Sequence, residues 1–261
     1  MALLTLLLAL PALAWVTPPP PTPQGTIQEV TLDMAPSAFD DRYRGCGPAM
    51  AAALPALNRS EFPLNADYAA GWALAAAEWR VRGSPASPKT PLSPEQAVAL
   101  LAYTAPVPLH RAFNAASRAA GRSRRHYREG FHFKALHFLL TGAVGELWEK
   151  QGRPCRRVFR GVSGVRFRAR AGSAVRFGHF ASASRRNGSA WAFGADTAFE
   201  VLTCHGAAVR EFSFFPEEDE VLIPPYETFE VVEVAGGGKD GVRIWLRSAG
   251  TLSNYNCEWL R

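Results

Sequence analysis

Apolar and polar residues alternate with two different periods along the chain. In the first half the spacing is helical. Met50 to Leu57 is a short Ala/Leu run, and Leu64 to Arg80 sets Tyr68, Trp72, Ala75, Ala76 and Trp79 on one face. An aromatic stripe at that period reads as core before it reads as a ligand platform. Ser93-Pro94-Glu95-Gln96 predicts a helix start, with Ser as N-cap, Pro at the first helical position and Gln three residues after the cap; the helix should run to about Tyr103. His132 to Lys150 is a longer amphipathic segment carrying Leu136, Phe138, Leu139, Leu140, Val144, Leu147 and Trp148. From Cys155 onward the period shortens. Val158 to Arg160, Val165 to Arg170, Ala174 to Phe180, Phe199 to Cys204, Phe212 to Phe215, Glu220 to Ile223, Phe229 to Val234 and Val242 to Leu246 are β-rich runs separated by Gly, Pro, Asn and Asp. Gly236-Gly237-Gly238 predicts a mobile hairpin end. Helices first and strands second, without regular alternation, predict an α+β domain rather than a doubly wound one.

The two ends narrow the setting. Met1 to Ala14 reads as a signal peptide, with an apolar run from Leu3 to Leu10 and a small-x-small site at Ala12-Leu13-Ala14, although its start carries no Lys or Arg. Residues 15–35 form a Pro-rich segment, and residues 36–261 the domain proper, helical to about 150 and β from 151. Thr251 to Arg261 is polar, so the expectation is a secreted, extracellular protein without a glycolipid anchor. Four cysteines in such a chain predict two disulfides with three possible pairings. Cys46 and Cys257 lie towards the ends of the domain, while Cys155 and Cys204 share the strand-rich half; pairing within each set is the natural guess. No pair has the short spacing of a zinc site, and no metal is expected. Asn58-Arg59-Ser60 and Asn187-Gly188-Ser189 are glycosylation sequons, expected on exposed loops.

In 261 residues, 29 Lys and Arg against 23 Asp and Glu leave a net charge of +6, nearly all of the cations being Arg. That surplus favours an anionic ligand without naming it. Against it stands one acidic run, Glu217-Glu218-Asp219-Glu220, leading into Val221-Leu222-Ile223. If the strand begins at Glu218, Glu218 and Glu220 share a face and Asp219 points away. Two adjacent carboxylates suit glycosyl transfer, where a cationic sugar carbon is stabilised and a nucleophile deprotonated; the alternative is a solvated acidic loop. Phe159-Arg160-Gly161 places a guanidinium shaped for a diphosphate beside a residue that lets a ligand approach. Phe180-Ala181-Ser182-Ala183-Ser184, preceded by Arg176-Phe177-Gly178-His179, puts two hydroxyls on one strand face.

Arg on one strand, Ser-x-Ser on a second and Glu-x-Glu on a third resembles the arginine-specific mono-ADP-ribosyltransferases, and the vertebrate extracellular branch in particular. Phe39-Asp40-Asp41-x-Tyr43-x-x-Cys46, Phe131 to Phe138, Ser213 to Pro225 and the Cys257 ending extend the likeness from about Phe39 to the C-terminus. The resemblance implies a helical lobe packed on a split β-sandwich, NAD (with NADP as an alternative) as co-substrate, and the pairs Cys46–Cys257 and Cys155–Cys204. It assigns the three active-site positions to Arg160, Ser182 and Glu220. Arg160 and Gly161 would meet the pyrophosphate, and Tyr103 and Ser213 would contact NAD. Glu220 would stabilise positive charge as nicotinamide leaves, Ser182 would hold that carboxylate, and Glu218 would orient and deprotonate the acceptor guanidinium. His179 falls where close relatives carry Gln, and its charge near pH 6.5 would make binding pH-sensitive. The implied partners are arginine-bearing acceptor proteins or small guanidines, met by a monomer, with no nucleic acid and no membrane anchor.

Three other readings remain. An NAD glycohydrolase would use the same site with water as acceptor, and Glu218 argues against it. A catalytically weak secreted binding protein would share the scaffold. A nucleic-acid or glycan binder would use Arg156, Arg157, Arg166, Arg168 and Arg170, but no nucleic-acid motif accompanies them.

Overall fold

The computed structural model describes residues 27–82, 91–188, 194–237 and 241–261. The expected signal peptide, most of the Pro-rich segment, Ser189 of the second sequon and Gly238 lie outside these residues. Five helices come first: α1 (Gly47–Glu61), α2 (Ala66–Val81), α3 (Pro94–Thr104), α4 (Leu109–Ala120) and α5 (Lys134–Lys150). The start of α3 is the expected capping box, Ser93 Oγ accepting from Gln96 N while Gln96 Oε1 accepts from Ser93 N. Helix α5 has no capping residue at Phe133. Its first N–H groups donate instead to the buried Glu61 carboxylate at the end of α1, at 2.8 Å from Lys134 N and 3.1 Å from Ala135 N. Asn58 does not sit in a loop as expected. It lies within α1, where its amide oxygen accepts from the Tyr68 hydroxyl.

Ten strands follow the helices except for the first: β1 (Gln28–Thr31), β2 (Arg156–Val162), β3 (Val165–Arg168), β4 (Ala174–Val175), β5 (Ala181–Ser184), β6 (Thr197–Thr203), β7 (Ala207–Ala208), β8 (Glu220–Ile223), β9 (Glu227–Gly236) and β10 (Val242–Thr251). β1 pairs in parallel with β3, and the rest form an eight-stranded sheet in the order β4-β9-β10-β6-β2-β5-β8-β7. Two expected strands are otherwise. Phe212 to Phe215 leaves a short 3₁₀ turn and runs irregularly, and Ala174 to Phe180 is strand only over its first two residues. Val175, Phe177, Phe180 and Phe212 are buried by packing against neighbouring elements, which produces the same pattern without a ladder, while Phe215 is exposed.

The sheet is held unevenly. β2 pairs with β6 along its whole length, from Arg156↔Thr203 to Val162↔Thr197, but with β5 only at Phe159↔Ser184. The sheet therefore forks there. One face buries Val158, Ala183, Val201, Val221, Ile223 and Leu246 together with Leu32 and Phe177 from outside the ladder. On the other face the helices cover only the β5-β8-β7 half, where Phe180, Ala207, Val209 and Leu222 join the helical core. Among the described residues no helix covers the β2-β6-β10 part of that face, and its Trp245 is exposed.

Both disulfides of the described residues are those the resemblance implies, Cys46–Cys257 and Cys155–Cys204. Cys155 and Cys204 flank the terminal rung Arg156↔Thr203 of the β2–β6 pair. Cys46–Cys257 ties the C-terminal segment to the start of α1, beside two fully buried acids. Asp41 accepts from the backbone N–H groups of Tyr43, Cys257 and Glu258, and Asp40 from those of Asn254 and Tyr255. Reduction of both bridges should lower stability by about 4 kcal/mol or more, since each closes a long loop. Urea midpoints measured with and without reductant check this, and an unchanged midpoint with all thiols free overturns it.

Candidate active site

The fork between β2 and β5 is filled by a side chain. Arg160 Nη1 donates to the Ser182 carbonyl at 2.6 Å, replacing the ladder bond the diverging strands cannot make. Gly161 follows, buried. A cleft of about 910 Å³ opens there, lined by Tyr103, Arg160, Gly161, His179, Ser182, Ser184, Glu218 and Glu220, with His110, Arg111, Asn114 and Arg118 on its helical wall.

Each expected residue has an identifiable support. Tyr103 is almost fully buried near the end of α3; its hydroxyl donates to the Phe180 carbonyl at 2.7 Å and accepts from Asn114 Nδ2 at 3.0 Å. It thereby fixes the entry to β5. Ser213 is also fully buried, and its hydroxyl accepts from Phe215 N. Burial raises the Glu220 pKa to about 7, with the nearby Glu218 adding to it, against the Ser182 and Ser213 hydroxyls and the Arg160 charge, which favour the ionised form. Glu218 is itself raised, first by burial and then by Glu217. Burial chiefly lowers the Arg160 pKa, and Arg118 lowers it further while Tyr103 and Glu220 oppose.

The two carboxylates share the cleft, but not through strand alternation. Pro216–Glu218 is a 3₁₀ turn, Asp219 is left-handed at φ 51°, and the strand begins only at Glu220. The left-handed residue carries Asp219 out to Arg185, which it holds with both oxygens at 2.8 and 2.5 Å. Ser184 Oγ donates to the Glu218 carbonyl at 2.6 Å and pins the turn. Ser184 also lies directly across the ladder from Glu220. The second serine of the Ser-x-Ser pair thus positions the turn that delivers Glu218.

His179 departs from expectation. Its Nδ1 faces the Phe177 carbonyl at 2.7 Å; a carbonyl only accepts, so Nδ1 carries the proton and Nε2 is left as an acceptor. Burial, Arg118 and Arg160 press its pKa well below the usual value, which favours the neutral ring. The preceding residues are structural. Arg176 is buried in an ion pair with Asp40 and donates to the Met34, Ala35 and Leu252 carbonyls. Gly178 has φ 67°, and a Cβ there would lie 2.4 Å from Ala35 Cβ.

Helix α4 went unread in the sequence, and with it His110, Arg111, Asn114 and Arg118. Its signal was present: Leu109, Phe113, Ser117 and Ala120 recur at helical spacing and are buried.

A carboxyl pair in one cleft suits the stabilisation of a cationic sugar carbon and the deprotonation of its attacker, the chemistry of glycosyl transfer. The chain belongs to the NAD:arginine ADP-ribosyltransferase family, which it matches over residues 32–254. It is 52% identical to the GPI-linked NAD(P)(+)–arginine ADP-ribosyltransferase 1 of Oryctolagus cuniculus over 247 residues, 90% of this chain and 76% of the relative. With NAD(P)(+)–arginine ADP-ribosyltransferase 2 of Gallus gallus it shares 50% over 233 residues, 89% and 74% of the two chains. Its fold matches the crystal structure of the eucaryotic mono-ADP-ribosyltransferase ART2.2 with a TM-score of 0.75 and 35% identity, covering 87% of this chain and 98% of that one. A variant of ART2.2 has been solved in complex with NAD and matches equally well.

Two outcomes follow from the electrostatics. Glu220 has a folded pKa raised from 4.5 to about 7, so its stabilising contribution is present below the unfolded pKa and is lost as pH rises through 7. Glu220→Gln should therefore raise Tm by several degrees at pH 8 and little at pH 5, the linkage being on the order of 3 kcal/mol. Equal Tm at pH 8 would mean that burial does not strain this carboxylate. His179→Gln should leave the pH profile of NAD affinity unchanged between 5.5 and 7, because the neutral ring already acts as an acceptor there. A profile that flattens on this substitution would show that the ring titrates.

Proposed function

We propose that the protein transfers ADP-ribose from NAD to the guanidinium of arginine on acceptor proteins, releasing nicotinamide. The observation that carries this reading is the convergence of Glu218 and Glu220 on one cleft with Asp219 turned out of it. Arg160, at the mouth of the fork with donors beyond the one spent on Ser182, is suited to the pyrophosphate. His179 and Tyr103 line the same cleft. Glu220 in its ionised form accepts from the hydroxyl of the nicotinamide ribose and offsets the charge that builds on the ribose carbon. The glycosidic bond to the pyridinium nitrogen breaks, its electron pair going to nicotinamide. Ser182 and Ser213 hold the carboxylate in place for that step. A guanidinium is a poor nucleophile until it loses a proton. Glu218, half-buried with its pKa raised, is the base that takes this proton as the new carbon–nitrogen bond forms. Attack on the face opposite the leaving group inverts the ribose carbon.

Two disulfides fit an oxidising compartment. Several relatives are named GPI-linked, and this protein is proposed to act outside the cell; its partition between medium and cell surface, with and without phospholipase treatment, tests how it is held there.

The carboxylates should separate by mutation. Glu220→Gln should cut both nicotinamide release and ADP-ribosyl-agmatine formation by about 10²–10³. Glu218→Gln should keep slow NAD hydrolysis while agmatine modification collapses. Asp219→Asn, which loosens the Arg185 contact outside the cleft, should change either rate far less. Both products are followed in folded protein, and a Glu218→Gln enzyme that still modifies agmatine at the native rate overturns the role of Glu218.

A further inference from the structure

The open half of the sheet face is not featureless. Strand registers place Glu233 opposite Trp245, Trp245 opposite Glu200, Glu200 opposite Phe159, Phe159 opposite Ser184 and Ser184 opposite Glu220. These six residues form one rung crossing β9, β10, β6, β2, β5 and β8. Paired residues project from the same face of a sheet, so a single row of side chains leads from the reactive carboxylate to Trp245 and Glu233. A groove of about 300 Å³ runs along the Trp245 end of that row. Its floor is the next rung, where Ala235, Ala198 and Gly161 leave room for a side chain to lie flat, with Arg243 among them. Phe159, Arg160 and Gly161 line both this groove and the cleft, so the two adjoin along β2.

We infer that this groove is the docking track for the acceptor polypeptide, and that Trp245 with Glu200 and Glu233 receives a second basic side chain of the acceptor. The proposal rests on the arginine-transfer reading. Shape and the two acids of the rung suit a cation, with Arg157 paired to one acid and Arg243 on the adjoining rung. Trp245 is 38% exposed in mid-strand, and a carboxylate stands across the ladder on either side of it. An ammonium or guanidinium laid on the indole meets the ring face and two acids together. Glu200 already holds Arg157 at 3.3 Å in an exposed pair, a contact weak enough to be exchanged or shared. An irregularity in the β9–β10 register directly after Trp245 sets this residue apart from the regular ladder.

The rung also fixes a spacing. Four interstrand steps separate β8 from β10, about 19 Å at ~4.8 Å each. An extended acceptor advancing ~3.4 Å per residue would span that distance in about five or six residues. The preferred acceptor is therefore an arginine with a basic residue five or six positions away in extended chain.

Peptides with one arginine and one lysine at separations from two to eight residues test this, alongside a lysine-free peptide, a peptide with glutamate in the lysine position, and agmatine, which is too short to reach Trp245. The native protein should show a KM about fivefold to tenfold lower at the predicted separation than for the lysine-free peptide. Trp245→Ala and, more weakly, Glu233→Gln should erase that preference with kcat unchanged. Both variants should modify agmatine at the native rate, which also shows that they are folded. No dependence on separation, a preference that survives Trp245→Ala, or a better glutamate peptide overturns the track. Failure of the native protein to modify agmatine at all would instead remove the transfer reading, and this proposal with it.

Discussion

The structure turns on a missing stretch of ladder. β2 and β5 meet at one rung and then part, and a sheet that parts inside a folded domain leaves backbone acceptors without donors. An unpaired buried carbonyl costs about 1–3 kcal/mol. The Arg160 guanidinium removes that cost at Ser182 and, being a fork with five N–H donors, has others left to face the cleft. Lysine would place a point charge there and could not bridge backbone and ligand in one plane. The residue that holds the sheet open is thus the residue best placed to bind an anion in the opening.

Around this fork the charges are sorted rather than neutralised. Arg118 and Arg160 stand on the helical and β2 sides, Glu218 and Glu220 at the far end, and serine hydroxyls bear on the Glu220 carboxyl group. His179 lies within the influence of both arginines, and protonation would add a third cation to a confined space, so the ring is held neutral. It fills the role of an amide by a different route: one nitrogen is committed to a backbone carbonyl and the other is free to accept. Glu220 is treated in the opposite way. Two hydroxyls and a guanidinium do not fully repay its burial, so the carboxylate is retained at a cost in stability that a structural residue would not justify.

Much of this was legible because it is local. The capping box of α3 and the apolar face of α5 are written in residues three and four apart, and they appear where the sequence places them. Arg160 and Ser182 stand out by a following glycine and period-two spacing, which are local too, but their roles come only with the resemblance. What was misread depends on contacts far apart in sequence. Glu218 and Glu220 have the spacing of strand neighbours, yet a left-handed Asp219 paired with Arg185 brings them together. Phe212 to Phe215 has strand composition, but Ser213 and Thr104 take the backbone donors of Phe215 and Phe214, and no ladder forms. The β1 strand at Gln28–Thr31 exists only because β3 lies beside it. The direction of the His179 shift was hidden for the same reason: a side chain's ordinary pKa says nothing of the burial and the two arginines that the fold brings to it.

The segment Arg176-Phe177-Gly178-His179 shows how a motif can mix two kinds of residue. Arg176 is buried against Asp40 and bonds carbonyls from both the N-terminal segment and the C-terminal one. Gly178 passes so close to Ala35 that no side chain fits. These contacts lie outside the cleft lining, yet they fix the backbone that delivers His179 and then β5 to the fork. Asp40 in turn is held against Asn254 and Tyr255, three or fewer residues from the Cys257 bridge. A chain of buried, fully partnered charges therefore runs from the C-terminal segment to the strand bearing Ser182. Rigidity at the cleft is supplied from behind it, which leaves the residues that face the ligand free to be chosen for chemistry instead of packing.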